Sequence, residues 1–191
     1  MKTNAIRCFI AVAVPDEVKQ YLSLLQKEMK NKGIKASWAD RSRFHITLAF
    51  LGDTAVDKIP RIQTAIDEAI ATQKGFDLRI GPFGVFPNRK KARVIWAGVH
   101  GDTTALKLIY RNLGDSLDRA GMPVPRKKFV PHITLARIKY PPRAKIMDEL
   151  FSMAPEISSL KFHVEAVELY QSILYPTGAV HKKLLESKLL P

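Results

Sequence analysis

His45-Ile46-Thr47-Leu48-Ala49-Phe50 and His132-Ile133-Thr134-Leu135-Ala136-Arg137 share five residues, 87 positions apart, and differ only at the sixth. Chance does not readily write one pentapeptide twice in 191 residues. Aligning the chain on this offset brings other landmarks into register. The apolar run CFIAVAV after Arg7 answers VIWAGV after Arg93, and a helical pattern follows each. Asp16 is placed to cap a helix with apolar positions Val18, Tyr21, Leu22, Leu25 and Met29, ended by Gly33. Asp102 is placed to cap its counterpart, with Leu106, Ile109, Tyr110, Leu113 and Leu117, ended by Gly121. A basic connector then leads into HITLA in both copies. A further helix follows, marked by Ile59, Ile62, Ile66 and Ile70 in the first copy and spanning residues 146–153 in the second. Residues 76–80 finally match residues 162–166 as a strand that alternates apolar and polar positions.

Each half therefore reads strand, helix, strand, helix, strand. No Gly/Ser linker separates the halves, because GPFGVFPNRKKARVIW runs from one directly into the other. The expected fold is a single α/β (α+β) domain over residues 1–191, bilobal and duplicated. Lobe 1 covers about 1–88 and lobe 2 about 89–191, with two mostly antiparallel sheets facing a central cleft and helices on the outer faces. A pseudo-twofold arrangement is the simplest way to bring the repeated strings together.

Composition narrows the partners. The 31 Lys and Arg against 18 Asp and Glu leave a formal charge of +13, which favours a polyanion: nucleic acid first, phosphorylated small molecules or an anionic surface second. The single cysteine, Cys8, permits no internal disulfide and sits in an apolar run as a small buried side chain. No segment approaches the length of a membrane span, and the N-terminal apolar stretch is too short for a secretion signal. The expectation is a soluble cytoplasmic protein, monomeric and not bound to membranes.

The repeated string carries the chemistry. In a strand, His45 and Thr47 face one way while Ile46 and Leu48 face the other, and the same holds for His132 and Thr134 against Ile133 and Leu135. A packing requirement would repeat the Ile and Leu; it has no use for His and Thr. Two histidines without a nearby cysteine or carboxylate are too few for a zinc site. Two symmetric threonines without an orienting third residue fit a covalent mechanism poorly. Paired acid–base catalysis fits best: one imidazole removes a proton from a nucleophile while the other protonates a leaving oxygen. The hydroxyls of Thr47 and Thr134 would donate hydrogen bonds to phosphoryl oxygens as charge builds there. No metal or cofactor is required.

The two H-x-T-x strings, together with RCFIAVAVP, FHITLAFLG, FVPHITLARI and VELYQSILYPTGAV, resemble the two-histidine phosphoesterase superfamily over nearly the whole chain. The similarity is strongest to the RNA 2′,3′-cyclic phosphodiesterases of bacteria and archaea, once called 2′-5′ RNA ligases. The resemblance implies metal-independent opening of 2′,3′-cyclic phosphate ends of RNA or nucleotides to 2′-phosphates. It implies His45 as proton donor to the leaving 3′ oxygen and His132 as the base that activates water. It further implies Phe50 and Arg137 as two sides of a base-binding slot, since an aromatic ring and a guanidinium both stack on nucleobases. A physical objection stands against Phe50: in a straight strand its odd offset turns it away from His45.

Of the basic clusters, Arg41 with Arg43 and Arg126-Lys127-Lys128 precede the two HITLA strings, and Arg89-Lys90-Lys91 with Arg93 joins the halves. Arg43 and Arg126 are taken as substrate-binding, placed at a cleft mouth where they would attract an RNA tail. Arg41 and Arg43 stand where relatives often have an acidic-polar pair, and His181 stands where a Tyr is common. His100, His163 and His181 have no repeated partner and read as structural or surface residues. Trp38 and Phe129 read as packing residues. Two other readings stay open: a phosphodiesterase for another small substrate, such as a cyclic phosphate of ADP-ribose or a 2′-5′ linkage, and a non-catalytic nucleotide- or RNA-binding module.

Overall fold

Alternating burial along the strands and three- and four-residue periodicity along the helices sort the apolar side chains onto one shared core. The computed structural model describes residues 4–140, 142, 144–152, 160–176 and 178–191. In chain order these form β1 (Ala5–Ala13), α1 (Asp16–Asn31), β2 (Ser37–Trp38), β3 (His45–Ala55), α2 (Ile59–Ile70), β4 (Phe76–Phe86) and β5 (Val94–Gly101). There follow α3 (Thr103–Arg119), β6 (His132–Arg137), α4 (Ala144–Ser152), β7 (Lys161–Val164), β8 (Ala166–Tyr175) and β9 (Gly178–Lys188). Both long helices end at a glycine with positive φ, Gly33 and Gly121, as their sequence spacing required. Asp102 caps α3 by accepting from the Ala105 amide at 3.1 Å. Asp16 does not cap α1. Pro15 holds the cap position, and Asp16 sits in the first turn, paired with Lys19 at 3.1 Å. There it still meets the positive end of the helix dipole. Residue 153, the expected end of the last helix, lies outside the described residues.

The class is mixed α/β, dominated by antiparallel pairing. The two expected sheets meet in one continuous ladder, ordered β7-β4-β5-β6-β3-β1-β8-β9, with the short β2 beside β6. The order is symmetric about the β3–β6 junction. Outward on one side run β3, β1, β8 and β9, and on the other β6, β5, β4 and β7. β3 and β6, and next to them β1 and β5, occupy equivalent places, but the matched residues 76–80 and 162–164 fall in β4 and β7, which lie side by side on one side of the sheet. β4 pairs with β5 and β7, both from the second half of the sequence, while β8 pairs with β1 from the first. The first half lends β4 to the other's side of the sheet, and the second half lends β8 and β9.

The helices cover one face of this sheet. Ile62, Ile66 and Ile70 of α2, Leu106, Ile109, Leu113 and Leu117 of α3 and Val18, Leu22 and Met29 of α1 join Ile46, Leu48, Ile133 and Leu135 in a single buried cluster. Burying an aliphatic side chain of this kind is worth about 1.5–3 kcal/mol. The cluster thus fixes which face of β3 and β6 turns inward, and by exclusion which face is left to the cleft. Asn112 to the Ala69 carbonyl at 3.4 Å and Arg119 to Glu68 at 2.9 Å tie α3 to α2 over the top.

Candidate active site

β3 and β6 touch through one pair, Ile46 opposite Ile133. Continued by one residue in each direction, that antiparallel register sets His45 opposite Thr134 and Thr47 opposite His132. That register sets the two histidines and two threonines crosswise on adjacent strands. Two cavities flank the junction. One, about 300 Å³, is lined by His45, Thr47 and Thr134 together with Phe50, Arg137, Arg43 and Arg7. The other, about 490 Å³, is lined by His132, Thr47 and Phe50 with the apolar walls of Phe86, Tyr110 and Phe129. Phe50 and Thr47 belong to both.

The objection to Phe50 is removed by the backbone. In the β1–β3 ladder Ala11 pairs with Thr47 but Ile10 pairs with Ala49, so Leu48 is an extra residue, a β-bulge. The β5–β6 ladder repeats it: Trp96 pairs with Thr134 but Ile95 pairs with Ala136. Both strands accordingly bury two consecutive residues, Leu48-Ala49 and Leu135-Ala136, and the residue after each returns to solvent. Phe50 is 62% exposed on the cleft side, and Arg137 is exposed at the equivalent place. The bulge in β6 is held by a buried glutamine. Gln26 of α1, only 5% exposed, donates from its side-chain nitrogen to the carbonyls of Leu135 at 2.8 Å and Ala39 at 2.9 Å.

Both imidazoles are oriented in the same way. His45 Nδ1 lies 2.8 Å from the Arg43 carbonyl and His132 Nδ1 lies 2.7 Å from the Val130 carbonyl. A carbonyl can only accept, so Nδ1 carries the proton in each neutral ring and Nε2 keeps its lone pair. His45 Nε2 accepts from the Thr47 hydroxyl at 3.0 Å. Phe9 packs 4.7 Å from the His45 ring, and Phe86 meets the His132 ring edge-on at 4.9 Å. This apolar lining disfavours the cations. Burial, followed by the charges of His181 and His132, takes the His45 pKa down to about 4, and burial lowers that of His132 as well. Among the described residues, no three His, Cys, Asp or Glu side chains gather to hold a metal ion.

A family model described as LigT like Phosphoesterase matches residues 12–96 and 101–181, spanning both repeated strings. The chain belongs to this family. It is similar to a protein named RNA 2′,3′-cyclic phosphodiesterase from Thermotoga maritima, at 32% identity over 183 residues covering 95% of this chain and 94% of the relative. A relative of the same name from Methanocaldococcus jannaschii is 28% identical over 181 residues, covering 95% and 99%. A crystal structure of a Thermus thermophilus protein superposes with a TM-score of 0.78 at 28% identity, covering 96% of this chain and 98% of the other.

In this LigT-like phosphoesterase, Arg43 lines the His45 side of the cleft. Arg126 lines the His132 side, but Asp115 at 2.7 Å and Asp118 engage its guanidinium, so it reaches the cleft with its charge largely matched. Phe129 packs at the rim: it stacks on Tyr110 with ring centroids 4.3 Å apart and walls the larger cavity. His163 pairs with Asp77 at 2.7 Å, a surface role. Trp38 packs against the core. His181 is not structural. It lines the His45 cavity, with its ring centroid 5.5 Å from that of His45. Sequence reasoning missed it because β9 has no repeat partner; the missed sign was that His181 shares the parity of Ala179 on that strand.

Gly84 supports the His132 side from behind. A Cβ there would fall on the Trp96 indole, which packs 5.0 Å from Phe86 and 5.9 Å from His132. Gly84→Ala is expected to cost about 1–3 kcal/mol in urea unfolding, the usual penalty of overpacking, and to depress turnover by displacing the indole. An unchanged midpoint with unchanged turnover would show that the indole moves freely.

Proposed function

We propose that this protein is an RNA 2′,3′-cyclic phosphodiesterase, opening cyclic ends to 2′-phosphomonoesters by metal-independent acid–base catalysis. The observation that carries the reading is the pairing of Ile46 with Ile133, beside which two like-oriented imidazoles and two hydroxyls line the two cavities that flank the junction and share Thr47. Inversion at phosphorus needs a base on one side and an acid on the other, and the two imidazoles supply both. His132 removes a proton from water through Nε2, and His45 delivers one from Nε2 to the departing 3′ oxygen. Thr47 and Thr134 donate to the nonbridging oxygens as negative charge develops. With its pKa held near 4 in the empty cleft, His45 is a poor proton carrier until substrate arrives. The phosphate then offers the opposite charge that raises it.

Phe50 and Arg137, brought to the cleft side by the bulges, supply the faces on which the terminal base stacks. Arg43 in the His45 cavity and Arg126 in the His132 cavity supply positive charge for the RNA phosphates. The same residues join ends when a 5′-hydroxyl replaces water as the nucleophile: His132 takes the hydroxyl proton, His45 protonates the departing 3′ oxygen, and a 2′-5′ linkage is left. The site is complete within one chain, which suits a monomer, and no described helix is long and apolar enough to cross a membrane. A single buried thiol, Cys8, with no disulfide, suits the cytoplasm.

The test is turnover of 2′,3′-cyclic AMP in excess EDTA, with 2′- and 3′-AMP separated. The expected product is 2′-AMP alone. Formation of 3′-AMP would reassign the leaving oxygen. Turnover of cyclic phosphates of ADP-ribose with none of nucleoside or RNA cyclic ends would replace the substrate class, and binding without turnover of any of them would leave a recognition module.

A further inference from the structure

The His45 cavity holds more cationic and donor groups than a cyclic phosphate requires. Besides His45, Thr47 and Thr134, it is lined by Arg7, Arg43, Arg137 and His181, and among the described residues no carboxylate lines it. Four buried side-chain polar atoms lack a hydrogen-bond partner among the described residues, and two of them, Arg43 Nε and His181 Nδ1, belong to this wall. The two side chains are neighbours. Arg43 lies against β9, where a Cβ on Gly178 would stand 2.9 Å from its Nη1, and its charge helps hold the His181 imidazole neutral. Phe9, at 4.8 Å, backs the His181 ring. An unpartnered guanidinium nitrogen beside an unpartnered imidazole costs free energy in the empty protein. An anion in the cavity that these two side chains line supplies a negative charge that no described lining residue supplies.

The two states of the substrate differ in what they offer. A 2′,3′-cyclic phosphate is a diester with a single negative charge. The ring-opened 2′-phosphate has a second ionisation near pH 6, nearly two charges at neutral pH, and one more terminal oxygen. Resting on the proposed function above, we propose that His181 and Arg43 form a second anion seat beside His45 that selects the phosphomonoester dianion over the cyclic diester. His181 is then a binding residue for the product, and its grip on the 2′-phosphate governs release.

The experiment compares wild type with His181→Phe, which keeps the ring and removes both nitrogens, and with His181→Gln, which restores a donor. Inhibition by 2′-AMP and by inorganic phosphate is measured against hydrolysis of 2′,3′-cyclic AMP. The expected result for His181→Phe is an inhibition constant for both anions weakened about tenfold, the value of one charge-assisted hydrogen bond, with a clearly smaller change in KM. His181→Gln recovers most of the loss. Equal inhibition constants in wild type and His181→Phe would overturn the second seat even with hydrolysis intact. If wild type hydrolyses no cyclic phosphate, the proposed function fails by itself. Calorimetric titration with inorganic phosphate then decides the seat separately, since wild type must still bind more tightly than His181→Phe.

Discussion

His45→Ala and His132→Ala are each expected to lower kcat/KM for 2′,3′-cyclic AMP by about 10²–10⁴-fold, the usual contribution of a positioned acid or base. Neither change should unfold the protein. Both rings stand on the cleft face and are only partly buried, while the core-facing Ile46, Leu48, Ile133 and Leu135 are untouched. The double variant should lose little more than the worse single one, because an acid without its base already forfeits the concerted step. The variants also separate roles. Bound substrate raises the pKa of the acid, so the alkaline limb of wild-type kcat should lie at higher pH than that of kcat/KM. Removing the acid should abolish that limb. Steady-state rates from about pH 5 to 9 are the measurement. Single variants within threefold of wild type would remove both imidazoles from the chemistry.

The same burial makes the protein acid-sensitive. His45 titrates near 4 in the folded state and near its ordinary 6.5 once unfolded. Above 6.5 both states hold the neutral ring and nothing is lost. As pH falls from 6.5 towards 4, the unfolded chain takes up a proton that the folded protein refuses, so stability declines over that window. Across most of it the loss from His45 alone is roughly 2 kcal/mol, at about 1.36 kcal/mol per pH unit of difference. His132 and His181 are shifted in the same direction and add to it. Urea unfolding at about pH 7 and pH 4.5 should show wild type losing about 2 kcal/mol more than His45→Gln, which carries no titrating group. Equal losses would mean that the ring is reached by solvent and ordinary in its titration.

The pentapeptide repeat announced the duplicated architecture, the cleft-facing histidines and threonines, and the stripes of α2 and α3. These are local patterns, and local patterns can be read along the chain. Three features could not be read that way. The bulges at Leu48 and Leu135 are set by the register of neighbouring strands β1 and β5, although two adjacent apolar residues inside an alternating strand were a faint sign of them. Gln26 is a polar residue beside the apolar stripe of α1, and its partners, the carbonyls of Ala39 and Leu135, lie far along the chain. His181 reaches His45 only because β9 joins β8 and β8 joins β1, a chain of pairings across the molecule. Asp16 went the other way: a good capping residue was displaced by Pro15, whose fixed backbone takes the cap position itself.

The exchange of β4 and β8 across the sheet bears on how the molecule could be divided. A cut in residues 89–93 would fall at the midpoint of the duplication, yet it would not release two self-sufficient lobes. The N-terminal piece would carry β4 away from both of its neighbours, and the C-terminal piece would keep β8 without β1. Each fragment would expose strand edges that only the other can cover, and each would hold one histidine of the pair. Neither piece alone could hydrolyse anything, and meeting would restore shape and chemistry in the same event. The duplication has made the enzyme a self-complementing pair on a single thread.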